Sequence, residues 1–168
     1  PYEMVNICVE IDTTRDIARQ ILRHRSFSFQ EFSQRYAEVK NFDTRECRMQ
    51  DEKNRQNSIE IDPLKSDEDR YLATWWDGVQ QRLTKEAEFL YEAAINKGIA
   101  KEVARALLPE GLTGSRLYMN GTLRSWIHYI ETRTHISTQK EHREVAVACA
   151  AAISEIFPLI NNFSHQKG

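Results

Sequence analysis

Apolar and polar positions alternate near the start of the chain, and this pattern predicts a β-strand. In segment 4–11, Val5, Ile7, Val9 and Ile11 are separated by more polar side chains, as in a strand with one buried face. We therefore expect a half-buried strand before the first helix.

A short helix is predicted directly after this strand. Thr13 and Asp16 have the spacing of a capping box, which satisfies the free N–H groups of a helix start. The helix is expected to bury Ile17, Ile21 and Leu22 and to run into a cluster of arginine and histidine residues.

An extended segment is predicted after that cluster. Residues 26–30 alternate serine and phenylalanine, which is the period of a strand. If the alternation continues, Glu31, Ser33 and Arg35 point to one side and Phe32 to the other. Residues 37–66 are polar and have no period, so they are predicted to form one long loop.

The clearest helix of the chain begins near Ser66 and Asp67 and ends at Gly98, a typical residue for a helix C-terminus. Its apolar residues recur at spacings of three and four, which indicates an amphipathic helix. The positions expected to face inward are Leu72, Trp76, Val79, Leu83, Ala87, Leu90 and Ala94.

Three further helices follow. One covers residues 101–108, one starts at Asn120 or Thr122, and the last is capped by Thr138 with Glu141 and broken by proline. Their inward positions are expected to be Leu123, Ile127 and Ile130 in the second of them, and Val145, Cys149, Ala152 and Ile156 in the last. The elements predict an α+β fold, a small antiparallel sheet packed with several long helices, in one domain over residues 1–168.

Composition narrows the function classes. The chain has 168 residues and a formal net charge of −2, so it has no overall attraction to nucleic acid or to an anionic membrane. Its three cysteines, Cys8, Cys47 and Cys149, have no paired spacing, which argues against a disulfide framework or a zinc site and fits a reducing compartment. No secretory pattern or membrane-spanning apolar run is present, and we expect a cytoplasmic protein.

Candidate chemistry is concentrated in one short stretch. Arg23, Arg25 and Arg35 lie so close together that they repel one another unless an anion lies among them. Arginine binds phosphate through a planar fork of donors. Phenylalanine and tyrosine add apolar faces for a ring, so the stretch predicts a site for a phosphorylated aromatic molecule. The plainer alternative is a solvated helix end that is stabilised by the helix dipole. The residues are Gln20, Arg23, His24, Arg25, Glu31, Ser33, Arg35 and Tyr36.

The joint pattern resembles the signature of flavin-dependent thymidylate synthases. Arg23-His24-Arg25 is followed after seven residues by Ser33, with Gln20 three residues before it and Arg35-Tyr36 two after the serine. Later segments are also similar to the family in order, namely Glu102 to Arg105 with Leu108-Pro109, Asn120 to Tyr129, Arg133, and Gln139 with Glu141.

The chain departs from the family pattern at three places. Thr122 stands where the family more often has asparagine, and Ser137 stands where many members have histidine. The opening Pro1-Tyr2-Glu3 is similar to the end of a family segment. The resemblance therefore implies that residues 1–168 form a family domain that lacks its N-terminal segment.

The resemblance implies a specific activity. Members methylate dUMP to dTMP, with methylenetetrahydrofolate as carbon donor, FAD as hydride carrier and NADPH as reductant. It also implies a homotetramer with active sites at subunit interfaces, with dUMP and folate as partners and without nucleic acid or membrane. No cysteine nucleophile is expected, since Cys8 and Cys149 lie in apolar patterns; Cys47 in the loop is left open.

The resemblance also implies site residues. Those expected at FAD are Arg23, His24, Arg25, Glu31, Thr122, Arg124 and His128. Those expected at dUMP are Gln20, Arg23, Glu31, Ser33, Gln34, Arg35, Arg105 and Arg133. Arg133 is the expected catalytic residue, because a cation beside the uracil stabilises negative charge that develops on the ring. The alternatives are a helix-terminal cation for Arg133 and a histidine at the edge of the core for His128.

Helix geometry constrains the three residues of the later segment. At about 100° per residue, Arg124 and His128 share a face, whereas Arg133 lies about 180° from Arg124. Either the helix ends before Arg133, or its two faces serve sites in different subunits.

Two other functions fit parts of the sequence. Arginines interleaved with aromatic residues suit an RNA-binding module, although the acidic balance argues against it. Glu86, Glu88 and Glu92 on the long helix suit a magnesium-dependent nucleotide pyrophosphohydrolase, but flanking lysines favour a solvated face.

Overall fold

The computed structural model describes residues 1–35, 41–55 and 57–165. It contains two compact units, one of Pro1–Glu31 with Ser115–Gly168 and the other of Phe32–Gly114. In chain order the elements are β1 (Asn6–Thr14), α1 (Arg15–Ile21), β2 (Ser28–Glu31), β3 (Arg48–Gln50), β4 (Ser58–Glu60), α2 (Asp67–Asn96), α3 (Lys101–Ala104), β5 (Gly114–Thr122), α4 (Leu123–Arg133) and α5 (Lys140–Ser154). The predicted α+β class with a small antiparallel sheet is confirmed.

The sheet of the first unit has the strand order β1-β5-β2. Strand β2 is antiparallel to β5, with Ser28 opposite Asn120 and Glu31 opposite Leu117. Strand β5 was not predicted from the sequence, since only Leu117 and Met119 mark its buried face and the segment has glycine near both ends. Tertiary pairing with two neighbours makes this segment a strand.

Helices α1, α4 and α5 bury their apolar faces in the core of the first unit. Ile17, Ile21, Trp126, Tyr129 and Ile130 are fully buried there. Burial of each such side chain stabilises the fold by about 1.5–3 kcal/mol relative to exposure. This core holds the end of α1, and with it the start of the arginine cluster, in a defined position.

The long helix of the second unit begins and ends as predicted. The hydroxyl of Ser66 accepts a hydrogen bond from the backbone of Asp69 at 3.0 Å, and Gly98 has a φ of 82° that favours glycine. The predicted inward face was wrong at Leu83 and Leu90, which are exposed. Within this unit the narrow stripe that α2 buries is Gln80, Ala87, Tyr91 and Ala94.

Three local predictions were wrong. The region 37–66 contains the antiparallel hairpin of β3 and β4, in which Arg48 pairs with Glu60. Thr13 lies inside β1, and Thr14 precedes the first helix without a capping hydrogen bond. The last helix begins after Gln139, again without a side-chain cap. The strands of this hairpin are short and exposed on both faces, so they leave little apolar pattern in the sequence. Helix starts that packing supports likewise leave little local signal.

The inward face of α5 also differs from the prediction. Ala152 and Ile156 are exposed, whereas Ala146 and Ile153 are buried together with the polar His142.

No helix in the part of the chain that the structure describes is long and apolar enough to cross a membrane. Among the same residues, no group of three or more potential ligands could hold a metal ion.

Candidate active site

The Arg-His-Arg segment forms a tight turn at the end of α1. The backbone of His24 donates to the carbonyl of Ile21 at 3.0 Å, and that of Arg23 to the carbonyl of Gln20 at 3.3 Å. Because Ile21 is buried, the turn exposes Arg23 and Arg25 and leaves His24 half-buried. Within residues 1–35, 41–55 and 57–165, neither arginine has a salt bridge or a side-chain hydrogen bond. Two unpaired guanidiniums therefore face solvent at one turn.

Arg133 reaches this turn from α4. Its Nε donates a hydrogen bond to Nε2 of His24 at 3.0 Å, so that ring nitrogen carries no proton. Burial, together with the nearby charges of Arg133 and His128, lowers the pKa of His24 to about 4. His24 is therefore neutral at physiological pH, and His24, His128 and Arg133 form one group.

Helix α4 continues through Arg133, so the alternative that it ends earlier is wrong. Arg124, at its other end, is exposed and forms an ion pair with Glu3. The backbone N–H of Arg124 donates to the carbonyl of Tyr2 at 3.3 Å. Arg124 and Arg133 thus lie at different places, one against the N-terminal segment and one against His24.

Glu31 and Thr122 are the last residues of the antiparallel strands β2 and β5 and lie at opposite ends of this pair, since Glu31 is opposite Leu117. Oε1 of Glu31 accepts a hydrogen bond from the Ser115 hydroxyl at 2.6 Å and lies 3.9 Å from a guanidinium nitrogen of Arg15. The hydroxyl of Thr122 accepts from the backbone of Ser125 at 3.3 Å and caps α4. The roles of Glu31 and Thr122 in flavin binding stay predictions.

A buried polar group beside this turn was not predicted from the sequence. His142 lies between Gln20 of α1 and Tyr129 of α4, and both contacts are hydrogen bonds of 3.2 Å. Burial lowers the pKa of His142 to about 3. The available signal was that His142 precedes Ala146 by four and Cys149 by seven residues, so that it shares their buried face.

In the second unit, Ser33, Arg35 and Arg105 are linked through Glu102. Two guanidinium nitrogens of Arg35 lie 3.0 and 3.2 Å from Oε2 of Glu102, and Nε of Arg105 donates to the Glu102 carbonyl at 3.3 Å. The Ser33 hydroxyl accepts from the backbone of Arg35 at 3.3 Å. The predicted alternation of Ser33 and Arg35 along a strand was wrong, because β2 ends at Glu31.

Gln34 is buried next to this group, and its Nε2 has no hydrogen-bond partner among the described residues. A buried donor without a partner costs about 1–3 kcal/mol, which a bound acceptor would offset.

The predicted site residue Tyr36 lies outside the described residues. A separate cavity of about 410 Å³, lined in part by Arg45, Glu60 and Trp76, includes none of the predicted site residues.

The three cysteines occupy different environments. Cys149 is buried, and burial raises the pKa of its thiol to about 12, so that it stays protonated. Cys47 is half-buried, and Cys8 is exposed on β1 rather than within an apolar setting as expected.

Comparison with known proteins shows the family of this chain. The sequence profile of the family described as thymidylate synthase complementing protein matches residues 1–159. The chain belongs to this family. A flavin-dependent thymidylate synthase of Synechocystis sp. is 49% identical over 159 residues, which are 95% of this chain and 71% of that protein. A probable flavin-dependent thymidylate synthase of Paramecium bursaria Chlorella virus 1 is 48% identical over 160 residues, with the same coverage of 95% and 71%.

The fold of this chain is also similar to that of a solved structure. The UMP/dUMP methylase PolB from Streptomyces cacaoi, bound with 5-Br UMP, superposes with a TM-score of 0.80 at 26% identity. The match covers 97% of this chain and 75% of PolB. Family membership and this neighbour identify the chain as an enzyme of the methyltransferase class that depends on a flavin.

Proposed function

We propose that the chain catalyses the reductive methylation of dUMP to dTMP. Methylenetetrahydrofolate is the carbon donor, and FAD, reduced by NADPH, supplies the hydride. The observation that carries the proposal is the placement of Arg133 on His24 within the Arg-His-Arg turn of a family member. This group combines exposed cations for phosphate with a half-buried cation for a reacting ring.

The residues of the first unit suit FAD. Its diphosphate needs cationic donors, and the exposed Arg23 and Arg25 have unused guanidinium N–H groups. His24 and His128 add neighbouring imidazoles, and Arg124 adds a third exposed guanidinium, although its ion pair with Glu3 must open or be shared. We place Glu31 and Thr122 in the same flavin site.

For dUMP we propose a set of donors and one acceptor. Arginines bind the phosphate, and Ser33 donates a hydroxyl hydrogen bond. The unpartnered Nε2 of Gln34 gains an acceptor, and the carboxylate of Glu31 accepts from a base or ribose donor. The set is Gln20, Arg23, Glu31, Ser33, Gln34, Arg35, Arg105 and Arg133.

Arg133 is the proposed catalytic residue. Its Nε is held by neutral His24, which leaves the N–H groups at the end of the guanidinium for the substrate. A half-buried cation is less screened than an exposed one, so it stabilises negative charge on the activated uracil more strongly.

The proposal includes no cysteine nucleophile. Cys149 is buried with a raised pKa, and neither Cys8 nor Cys47 has a described hydrogen bond or ion pair that would stabilise a thiolate. Unpaired cysteines suit a reducing compartment, so we place the reaction in the cytoplasm.

A homotetramer with shared active sites forms part of the proposal. Exposed apolar side chains on α2, including Tyr71, Trp75 and Phe89, form a surface that assembly would cover. Arg124 and Arg133 lie at different places in one chain, so a site that uses both draws them from two subunits.

The first prediction tests the activity directly. After incubation with excess FAD and removal of free flavin, we expect the protein to retain flavin absorbance and to form dTMP from dUMP, methylenetetrahydrofolate and NADPH. Arg23→Ala with Arg25→Ala should lose most of the flavin, because the two guanidiniums that suit the diphosphate are gone. A wild-type protein that binds neither FAD nor dUMP would contradict the proposed function.

The second prediction tests the shared site. Arg124→Ala and Arg133→Ala chains should each be nearly inactive, yet mixing them under conditions of verified subunit exchange should restore part of the activity. Some sites then receive both wild-type arginines from different chains. The control mixes Arg133→Ala with the Arg124→Ala/Arg133→Ala double variant, which has no intact Arg133 and should stay inactive. Exchange without regained dTMP formation would mean that one chain supplies both arginines.

A further inference from the structure

A fully buried histidine connects three helices of the first unit. His142, in the first turn of α5, has its Nδ1 at 3.2 Å from Oε1 of Gln20 and its Nε2 at 3.2 Å from the hydroxyl of Tyr129. The family resemblance gave His142 no role. One of its two partners, Gln20, belongs to the proposed dUMP site, so the contact has a consequence for substrate binding.

The bonding pattern assigns the proton of this imidazole. The lowered pKa keeps His142 neutral, and a neutral ring carries a single N–H. Because Oε1 of Gln20 can only accept, Nδ1 carries the proton and donates to it. Nε2 then accepts from the hydroxyl of Tyr129, whose pKa burial raises well above its ordinary value, so that it keeps its proton.

The other end of the Gln20 carboxamide is held as well. Nε2 of Gln20 donates to Oε1 of Gln139 at 2.8 Å, and Nε2 of Gln139 donates to Oε2 of Glu141 at 2.9 Å. The donors therefore run in one direction from Tyr129 to Glu141. Turning the Gln20 amide by 180° would place two donors together at His142 and two acceptors together at Gln139. One N–H of Gln20 remains outside this chain of hydrogen bonds.

We propose that His142 is a positioning residue for dUMP binding, which orients the Gln20 carboxamide so that its remaining N–H is offered to an acceptor oxygen of dUMP. The inference rests on the proposed function, in which Gln20 binds dUMP. Without the donor of His142, the amide loses one of the two contacts that distinguish its oxygen from its nitrogen, and only the hydrogen bond to Gln139 remains. Substrate binding must then order the side chain at the expense of affinity.

The test compares three variants of the FAD-loaded protein by calorimetric titration with dUMP. His142→Leu removes the donor to Gln20 and should weaken dUMP binding about 3- to 10-fold, as expected for one neutral hydrogen bond. His142→Asn keeps an amide donor near the position of Nδ1 and should restore most of the affinity. Tyr129→Phe removes only the hydroxyl at Nε2; it should lower the melting temperature and leave dUMP affinity within about twofold.

A double-mutant cycle separates positioning from a general loss of structure. In a Gln20→Ala background, His142→Leu should cause no further loss of dUMP affinity, because the group through which it acts is absent. If the double variant loses dUMP affinity by the product of the two single losses, the inference is overturned. It is also overturned if His142→Leu binds dUMP as tightly as the wild type. A Tyr129→Phe protein that loses dUMP affinity as strongly as His142→Leu would also overturn it, since affinity would then follow stability alone.

A measurement on the wild-type protein covers the case in which His142→Leu does not fold. The nitrogen chemical shifts of a ¹⁵N-labelled His142 ring should show a neutral imidazole with its proton on Nδ1. A proton on Nε2 would overturn the inference, because Nδ1 would then not donate to Gln20. Absence of dUMP binding by the wild-type protein overturns the proposed function instead, whereas normal wild-type binding with unaffected variants overturns only the role of His142.

Discussion

Replacing Arg133 by alanine should lower the turnover number for dTMP formation by about 10²- to 10³-fold, the usual cost of removing one donor that stabilises transition-state charge. The guanidinium is half-buried and held through Nε by His24, so its remaining donors are fixed before substrate arrives. FAD uptake should persist, because Arg23 and Arg25 are unchanged.

Turnover is measured as dTMP formed per bound FAD, which removes differences in flavin content. Arg133→Lys keeps the charge but loses the planar fork, and should be intermediate. Arg116→Ala is the matched control, because Arg116 forms an exposed ion pair with Asp12, 2.6 Å away; its turnover should equal that of the wild type. An Arg133→Ala protein within about tenfold of wild-type turnover would contradict the catalytic role, given the 10²-fold loss expected.

The same variant has a spectroscopic consequence at His24. Burial and, to a smaller extent, the charge of Arg133 lower the pKa of His24, which is about 4 in the folded protein. Without that charge, and with the site more open to water, the pKa of His24 should rise toward its ordinary value of 6.5. Nuclear magnetic resonance of the ring protons measures this rise independently of activity.

Replacing Gly121 by alanine should lower the free energy of unfolding by about 1–3 kcal/mol, as overpacking of a core does. An added Cβ would lie 2.5 Å from Cδ1 and 2.7 Å from Cε1 of the Phe27 ring. That ring is buried and packs edge-to-face on Trp126 at a centroid distance of 5.0 Å, so it has little room to move. Phe27 also follows Arg25 closely, so displacement of the ring should disturb the Arg-His-Arg turn.

Gly78→Ala provides the matched control for this substitution. Gly78 lies within α2, and an added Cβ there meets no atom within 4 Å. Alanine should therefore stabilise the helix by roughly 0.5–1 kcal/mol through its higher helix propensity. Thermal unfolding followed by circular dichroism should give opposite shifts for the two variants. A Gly121→Ala protein that melts at or above the wild-type temperature would mean that the Phe27 ring adapts freely.

Local signals in the sequence were reliable where they depend on backbone chemistry. Ser66 at the start of α2 and Gly98 after its end are such signals, because a capping hydroxyl and a left-handed φ act within a few residues. The Arg-His-Arg pattern with Ser33 was reliable for a related reason, since it occupies one short stretch and is read without knowing the fold. The family match over residues 1–159 agrees with it.

Long-range packing determined the features that the sequence left open. Strand β5 exists because β1 and β2 pair with it, although its own apolar residues are few. The buried face of α5 includes His142, because Gln20 and Tyr129 provide hydrogen-bond partners for a polar ring that would otherwise stay at the surface.

The sequence by itself therefore determined the family and the limits of the longest helix. Only the tertiary structure decided that Arg133 meets His24 across 109 positions of the chain while Arg124 turns to Glu3. The physical reason is that a contact between distant residues depends on the burial of whole helix faces, and Trp126, Tyr129 and Ile130 set the rotation of α4 that brings Arg133 to His24.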